Sequence, residues 1–405
     1  MGHIKILFGF LCFVFFRCVA QQETVPAVTV VPVADLVLEQ LTNVYPKKNV
    51  AKSYRSLSLE GAKKSVWSCP RVHQLLFNEQ VEIIRYEDDE VLIKIPQCFY
   101  LAGNIKQNKY WSHKNNILPL SKKLRPGLFP EPIRFSGKNK DSQKKQVITL
   151  LFPFQDKKNG RTFSAGTKFV RAKTKQEQPH LVAVWAFSPR MRTHEMVHIP
   201  KKLCLARPPQ TSSEKRKLFV QLLQRWSARP NGSIPYVWGG CSFTRPYTQE
   251  MIKSVKTKLP NGRKVDIFRH NKPYPIAGGL DCSGAILRAA QIANIPYFFK
   301  NSSTALKNLE QIKQYEQIKA GDLLYTSGHI MMVADLKEGK LVESRSHWYG
   351  FGSLHEEKLN HLFKDMNSYK KLFAQSEAKK PLVRIDEAGK VIGKPKVHLF
   401  LKLPV

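Results

Sequence analysis

Short apolar runs separated by polar turns dominate the first half of the chain. Between Val66 and Leu120 the clearest strands are 81–86 and 91–95, joined by the acidic turn 87–90. Apolar positions that alternate with polar ones, interrupted by turn residues, are typical of antiparallel strands. This pattern predicts a small β-domain in the first third of the chain.

A second strand-rich segment extends from Val147 to about Pro208, with its best strands at 163–170 and 181–185. The stretch 122–146 before it is basic and contains Pro, Gly and Ser, so it is predicted to be a linker. Residues 21–34, rich in Val, Pro and Ala, are predicted to be an extension leading into the first domain.

The hydrophobic period changes after Pro208 and Pro209. Ser213 is predicted to cap a helix, and the apolar positions that follow recur at helical spacing. Its predicted buried face consists of Phe219, Leu222, Leu223 and Trp226. A second helix begins near Cys282, and the apolar run 328–335 predicts a buried strand with a hairpin partner at 340–344.

Four further segments complete the predicted α+β pattern of the second half. We expect a polar helix at 303–317, a helix at 356–374 and a last strand at 397–403. Residues 241–276 are basic and lack a clear period. They are predicted to be a long loop of the kind that often forms a lid or a binding loop.

The N-terminus has the features of a secretory signal. Lys5 precedes the apolar run 6–16, and small residues lead to a cleavage site after Ala20, so residues 1–20 are predicted to be removed. No later segment is long and apolar enough to span a membrane. We therefore expect an exported protein, periplasmic or secreted, without an integral membrane span after cleavage.

The chain is strongly basic, with 66 Lys and Arg against 31 Asp and Glu and a net charge of +35. Such a charge favours a polyanionic partner, such as nucleic acid, an anionic membrane or an acidic cell-wall polymer. A generally basic solvated surface explains it equally well. Export argues against nucleic acid as the partner.

The cysteines point to chemistry more than to metal binding. Five remain after signal removal, an odd number that leaves at least one thiol unpaired in a monomer: Cys69, Cys98, Cys204, Cys241 and Cys282. No CxxC pair is present, so we expect no zinc site. We also expect no other metal and no cofactor. Cys282 precedes a helical pattern, and a helix N-terminus favours the thiolate by lowering the pKa of a thiol.

Four motifs occur in an order that resembles NlpC-type papain-like cell-wall peptidases: 236–240 (Tyr-Val-Trp-Gly-Gly), 281–284 (Asp-Cys-Ser-Gly), 321–323 (Gly-Asp-Leu) and 328–329 (Gly-His). The resemblance covers about residues 213–403. It implies an α+β fold with a papain-like domain at 209–405. The strand rhythm of 21–121 and 147–208 resembles two bacterial SH3-like barrels, the first including the N-terminal extension.

The resemblance also implies site residues. Cys282 is the expected nucleophile and His329 the base that accepts its proton. A third polar group should orient the imidazole. Similar enzymes have histidine on the next strand, where this chain has Glu343; a surface glutamate with His347 as the orienting residue is the alternative.

Three more residues match the motifs of the resembling enzymes. Tyr236 matches a cleft tyrosine near the sulfur, although core packing explains it too. Asp281 and Ser283 are expected to shape the turn before the helix and contact substrate; Asp281 is equally suited to being only a helix cap.

The segment between Tyr236 and Cys282 departs from the family in its length. Its basic residues include Lys253, Lys256, Lys258, Arg263, Lys264 and Arg269. They could help to recruit the carboxylates of stem peptides. A solvated loop without a role explains them equally well.

Taken together, the motifs predict an exported cysteine peptidase acting on peptidoglycan or muropeptides. The resemblance implies cleavage between γ-D-glutamyl and a diamino acid through a thioester. The alternatives are an N-acetylmuramoyl-L-alanine amidase and a wall-binding protein without catalysis.

Overall fold

A computed structural model describes most of the chain. The described residues are 23–46, 48–63, 69–121, 126–132, 146–174, 178–189, 191–228, 234–244, 252–258, 264–270, 278–346, 352–386 and 389–405. The predicted signal peptide and His347 lie outside them, as does most of the predicted linker. Among the described residues, no helix combines the length and apolar character needed to cross a membrane.

The first part of the chain forms an antiparallel sheet of seven strands in the order β3-β2-β8-β5-β4-β1-β9. Its strands are β1 (Val25–Thr29), β2 (Val33–Val37), β3 (Arg71–Leu76), β4 (Gln80–Glu87), β5 (Glu90–Lys94), β8 (Lys109–His113) and β9 (Ile117–Pro119). The helices α1 (Leu41–Val44) and α2 (Val50–Lys63) lie between β2 and β3, and β6 (Tyr100–Ala102) pairs with β7 (Ile105–Gln107) as a separate hairpin.

The interpretation of residues 21–34 as an extension was wrong. Strand β1 lies inside the sheet, paired with β4 on one side and β9 on the other. Ala27 and Val28 are completely buried. The segment is short and rich in Val, and it lacks the alternation of apolar and polar residues that marks a strand. Its pairing partners are about 50 to 90 residues away in sequence, so a local pattern does not reveal them.

The second part forms a five-stranded antiparallel sheet in the order β15-β14-β13-β10-β16, with a hairpin β11–β12 beside it. The strands are β10 (Val147–Leu150), β11 (Phe154–Asp156), β12 (Arg161–Phe163), β13 (Lys168–Arg171), β14 (Leu181–Ser188), β15 (Thr193–Pro200) and β16 (Cys204–Leu205). The predicted strand 163–170 is interrupted by a turn in which Gly166 has φ +89°, so it contributes to two different strands.

The third part contains the remaining helices and a second five-stranded antiparallel sheet in the order β24-β23-β22-β21-β27. Its helices are α3 (Ser212–Ser227), α4 (Cys282–Ile292), α5 (Ser302–Asn308), α6 (Leu359–Leu362) and α7 (Tyr369–Glu377). Its strands are β17 (Cys241–Ser242), β18 (Ile252–Lys258), β19 (Lys264–His270), β20 (Gly279–Leu280), β21 (Leu323–Thr326), β22 (His329–Asp335), β23 (Lys340–Ser344), β24 (Leu354–Lys358), β25 (Arg384–Ile385), β26 (Val391–Gly393) and β27 (His398–Leu401).

Helix α3 buries the face predicted from its period, Phe219, Leu222, Leu223 and Trp226. Its N-cap is Thr211 rather than Ser213, because Thr211 and Glu214 form a reciprocal capping box. The strand at 328–335 and its hairpin partner at 340–344 are also confirmed as β22 and β23.

Three predicted elements differ in the structure. The helix at 303–317 ends at Asn308, where Leu309 leaves the helical conformation, and only a single 3-10 turn follows at Tyr315–Gln317. The predicted helix at 356–374 is replaced by the strand β24 and two shorter helices, α6 and α7. The predicted loop 241–276 contains the hairpin β18–β19, whose backbone pairing runs from Ile252↔His270 to Lys258↔Lys264.

The hydrophobic cores cross the boundaries that the sequence suggested. One cluster joins Ile93 and Phe99 of the first part with Ile286 and Ala289 of α4. Another joins Phe77 of the first part to the second sheet. Phe129, inside the predicted linker, is completely buried in this second cluster. The predicted linker therefore contributes at least Phe129 to a hydrophobic core.

Candidate active site at the start of helix α4

Helix α4 begins at Cys282, and Asp281 is its N-cap. The Gly284 amide donates to Asp281 Oδ1 over 2.5 Å, and Ser283 Oγ donates to the same oxygen over 2.9 Å. A capped helix start leaves the first amides unpaired within the helix, so they are able to bind an anion that forms beside Cys282.

Three backbone segments meet behind this helix start, and glycine is required at each of them. A Cβ added to Gly284 would lie 1.9 Å from the Gly240 carbonyl oxygen, and one on Gly240 would lie 2.3 Å from the Gly279 carbonyl oxygen. Strand β17 pairs with β20, and the Asp281 amide donates to the Gly240 carbonyl over 3.1 Å. The Gly-Gly and Cys-Ser-Gly motifs are thus in direct backbone contact with each other, and glycine is needed on both sides of that contact.

His329 is the first residue of β22, and Glu343 lies on the neighbouring strand β23. Their side chains form a hydrogen bond of 2.6 Å between His329 Nε2 and Glu343 Oε2. A carboxylate only accepts, so Nε2 carries the proton in this arrangement and Nδ1 is left as the acceptor. The next residue, Ile330, lies beside Cys282. Its backbone N–H donates a hydrogen bond to the Cys282 sulfur, and this contact favours the thiolate.

The resting thiol is not activated in the way that its position at a helix start predicted. Burial, together with the charge of Asp281, raises the pKa of Cys282 to about 12, against the opposing effects of the Ile330 amide, Lys300 and the Ser283 amide. Burial also lowers the pKa of His329, although the hydrogen bond with Glu343 opposes this. At neutral pH the free protein therefore holds a neutral thiol and a neutral imidazole.

Glu343 is fully enclosed among cationic or potentially cationic groups. Arg384 Nη2 lies 2.8 Å from Oε1 and 2.7 Å from Oε2. His355 Nε2 lies 3.3 Å and Arg345 Nη1 lies 3.8 Å from Oε1. Burial alone would raise the pKa of Glu343, but Arg384 and the two histidines hold it well below its usual range.

Asp281 and Ser283 have their side chains directed to partners inside the protein. Besides the cap, Asp281 Oδ2 accepts a hydrogen bond of 2.7 Å from Lys300 Nζ, which also lies 3.4 Å from Ser283 Oγ. All three side chains are buried. These contacts support the capping interpretation of Asp281, and contact of Asp281 and Ser283 with substrate stays a prediction.

Tyr236 lies next to the segment that leads to Cys282. Its backbone bridges to Leu280, two residues before Cys282, and its amide donates to Gly352 O over 2.8 Å. The residue is buried, with 6% of its surface exposed. Its role in the cleft stays a prediction.

The first sheet contributes directly to the wall behind this site. Arg71, on β3, is fully buried and donates to the Trp238 carbonyl from Nε over 3.0 Å and from Nη2 over 2.7 Å, while Nη1 lies 3.1 Å from Asp35 Oδ1. Gly239 has φ +68°, and a Cβ there would lie 2.4 Å from the Arg71 carbonyl oxygen. The first sheet therefore satisfies the backbone of the Tyr-Val-Trp-Gly-Gly turn.

A second arginine continues this polar seam from within α4. Arg288 donates from Nε to Cys241 O over 2.9 Å, from Nη1 to Glu79 Oε1 over 2.7 Å and from Nη2 to Gln74 O over 3.3 Å. Gln74 in turn accepts hydrogen bonds from the Cys241 amide, over 2.9 Å, and from Ser242 Oγ, over 2.8 Å. The helix that carries Cys282 is thereby tied to the first sheet.

Sequence reasoning missed four charged residues around the site, Arg71, Arg288, Lys300 and Arg384. Basic residues are abundant throughout this chain, and none of these four lies in a motif. Apart from the Lys300–Asp281 pair and the Arg288–Gln291 hydrogen bond, the polar partners named above are distant in sequence, so no local signal marks these residues. Tyr297 was also missed: it is buried, and burial raises the pKa of its hydroxyl.

The remaining predictions about this region concern cysteines, metals and the basic segment. No disulfide joins the five described cysteines. Within the described ranges, no cluster of three His, Cys, Asp or Glu side chains is arranged to hold a metal ion. The basic positions 253, 256, 258, 264 and 269 lie on the β18–β19 hairpin, whereas Arg263 lies outside the described residues.

Comparison with solved structures identifies the fold. An NlpC/P60 family protein from Bacillus cereus ATCC 10987 matches with a TM-score of 0.52 and 13% sequence identity, over 83% of this chain and 94% of that one. An NlpC/P60 endopeptidase from Photobacterium damselae subsp. piscicida matches with a TM-score of 0.49 and 10% identity, over 95% of this chain and 74% of that one. The match to the Bacillus cereus protein shows that the chain has an NlpC-type fold, as its motifs predicted.

Sequence comparison adds nothing to this result. No family model matches the chain, and no curated protein matches it. The similarity is therefore one of structure at low sequence identity.

Proposed function

We propose that this protein is a cysteine peptidase that hydrolyses peptidoglycan stem peptides at the bond between γ-D-glutamyl and a diamino acid. The observation that carries the proposal is the hydrogen bond of 2.6 Å between His329 and Glu343. The residue after His329, Ile330, lies beside Cys282. The NlpC-type fold and the excess of positive charge, which suits a carboxylate-bearing polymer, support the same substrate class.

In the proposed reaction the Cys282 sulfur attacks the scissile carbonyl as its proton passes to His329 Nδ1. The carbonyl π electrons move to oxygen, and amides at the start of α4 stabilise that oxyanion. When the tetrahedral intermediate collapses, the C–N bond breaks, and His329 gives its proton to the leaving amine. Water, deprotonated by His329, then hydrolyses the thioester and regenerates the thiol.

The high pKa of the free Cys282 thiol has a consequence for this sequence. Because the resting pair is neutral, proton transfer to His329 must accompany attack, and the imidazolium that forms needs a nearby anion. Glu343 supplies that anion, hydrogen-bonded to Nε2. A glutamate is suited to the third position of this site, where the resembling enzymes have histidine.

We also propose that the two N-terminal sheets are SH3-like domains and that they narrow one end of the cleft. For the first of the two, contact with the third part of the chain supports the narrowing: the Leu101 amide of β6 donates to Thr304 Oγ1 of α5 over 2.8 Å, and Phe99, just before β6, bridges to Phe299. A narrowed cleft would select short stem peptides with a free N-terminus, as in a dipeptidyl-peptidase. Export through a signal at 1–20, to the periplasm or outside the cell, completes the proposal.

The test is digestion of purified muropeptides, with products identified by mass spectrometry. We expect the wild-type protein to release fragments cut after γ-D-glutamyl and Cys282→Ala to release none. Cys204→Ala is the matched control, since Cys204 is a partly buried thiol on β16 of the second sheet; it should cleave normally.

Other outcomes of the digest separate the alternatives. Products cut between the sugar and the peptide would identify an amidase. Binding to cell-wall sacs without any turnover would identify a wall-binding protein. Equal cleavage by wild type and Cys282→Ala would refute Cys282 as the nucleophile.

A further inference from the structure

The environment of Glu343 contains more than an orienting residue requires. Its carboxylate oxygens contact Arg384 and His329 at hydrogen-bond distance, with His355 and Arg345 at 3.3 Å and 3.8 Å from Oε1. These four are the titratable and charged groups that face Glu343 in the described structure. Arg384 is the one that contacts both oxygens, so it determines the position of the carboxylate as well as its charge.

Arg384 reaches this site from a part of the chain that none of the motifs covers. It lies on β25, and its backbone bridges to Phe363. The guanidinium carbon lies 5.2 Å from the centre of the Phe363 ring, and Nη1 lies 3.9 Å from Met331 Sδ on the strand that begins with His329. The side chain is 92% buried. The guanidinium is held between a ring and a strand, which leaves it little freedom to move away from Glu343.

We propose that Arg384 is a positioning residue for the base His329 and that it acts through Glu343. The inference rests on the proposed function of this site. A buried carboxylate without a compensating charge takes up a proton or turns towards solvent. Either change removes the acceptor that holds Nε2–H, and His329 then loses the tautomer and orientation in which Nδ1 accepts the thiol proton. Arg384 prevents both changes by binding the two oxygens.

The first experiment compares activity on muropeptides across pH for wild type and Arg384→Met. We expect at least about tenfold lower kcat with KM nearly unchanged, because the variant loses a group that orients the base and not one that binds substrate. We expect the acid limb to move up by about one pH unit or more, since Glu343 without its arginine protonates at higher pH. Arg384→Lys, which keeps the charge but not the paired contacts, should restore the acid limb more than it restores kcat.

A double-variant cycle separates this role from a merely structural one. If Arg384 acts through Glu343, adding Arg384→Met to Glu343→Gln lowers kcat by less than twofold beyond Glu343→Gln alone. The matched control is Arg216, which pairs with Asp322 over 2.8 Å elsewhere in the same part of the chain. Arg216→Met should combine with Glu343→Gln multiplicatively. Multiplicative losses for Arg384 as well, or an unmoved acid limb, would overturn the proposal.

A second readout does not need turnover, so failure of the proposed function is distinguishable from failure of this inference. The rate at which iodoacetamide alkylates Cys282 is followed by mass spectrometry between pH 5 and 9, with circular dichroism confirming that each variant is folded. Arg384→Met and Glu343→Gln should both slow alkylation near neutral pH, and the double variant should be no slower than Glu343→Gln. Alkylation independent of Arg384 would refute the coupling even if the wild-type protein cleaves muropeptides. The coupling stands if alkylation responds while no muropeptide is cleaved.

Discussion

Replacing Gly284 by Ala tests the close backbone packing behind Cys282. At an ordinary helix position this change stabilises a protein by about 0.5–1 kcal/mol, because alanine loses less conformational entropy on folding. Gly284 is in the first turn of α4, where a Cβ would lie 1.9 Å from the Gly240 carbonyl oxygen. Contacts shorter than 3.0 Å essentially never occur for a Cβ, so the two segments would have to separate by more than 1 Å.

The Gly240 segment has little freedom to make that movement. Its amide donates to Val237 O over 2.8 Å, and its carbonyl accepts from the Asp281 amide over 3.1 Å. On its other side it lies against the backbone of Gly279. Overpacking a rigid core costs about 1–3 kcal/mol, and this exceeds the helix-propensity gain. We therefore expect a net loss of stability of about 1–2 kcal/mol and a displaced helix start.

The assay is thermal unfolding followed by circular dichroism, alongside muropeptide cleavage. One kcal/mol shifts the midpoint by about 2–4 °C in a domain of about 150–250 residues, so the expected decrease is measurable. Cleavage should fall together with stability, since the shift moves Cys282. The control is Gly393→Ala, because Gly393 has no heavy atom within 4 Å of an added Cβ and is not at positive φ. A Gly284→Ala protein as stable and active as the Gly393→Ala protein would refute this account of the motif.

Two further predictions concern buried charges. Arg71→Met removes the donor to the Trp238 carbonyl and should lower the free energy of unfolding by about 3 kcal/mol, as breaking a buried pair does. Arg85→Met, at an exposed ion pair, should lower it by less than about 1 kcal/mol. Equal melting temperatures for the two variants would contradict this prediction. The depressed pKa of Glu343 adds stability that is present above its unfolded pKa of about 4.3 and is lost as pH falls through the lower folded pKa. The difference in melting temperature between wild type and Glu343→Gln should therefore shrink below about pH 4, and a difference that stays constant from pH 7 to pH 3 would rule the linkage out.

The local patterns of this chain were sufficient where neighbouring residues determine the structure. The buried face of α3 and the hairpin β22–β23 follow from period and turn residues, and the motifs indicated the fold. The hairpin β18–β19 and strand β1 were missed. The hairpin lacks an alternation strong enough to stand out, and β1 is stabilised by partners far along the chain.

For the candidate site, the sequence determined which residue types are present: a cysteine after an aspartate cap, a histidine at a strand start and a glutamate on the next strand. Only the tertiary structure decided the protonation states of these side chains. Burial raises the pKa of Cys282 against the effect of the helix start, and Arg384, 41 residues beyond Glu343, keeps Glu343 ionised. Desolvation and long-range ion pairs depend on what the rest of the chain places around a group, and no local pattern of residues records that.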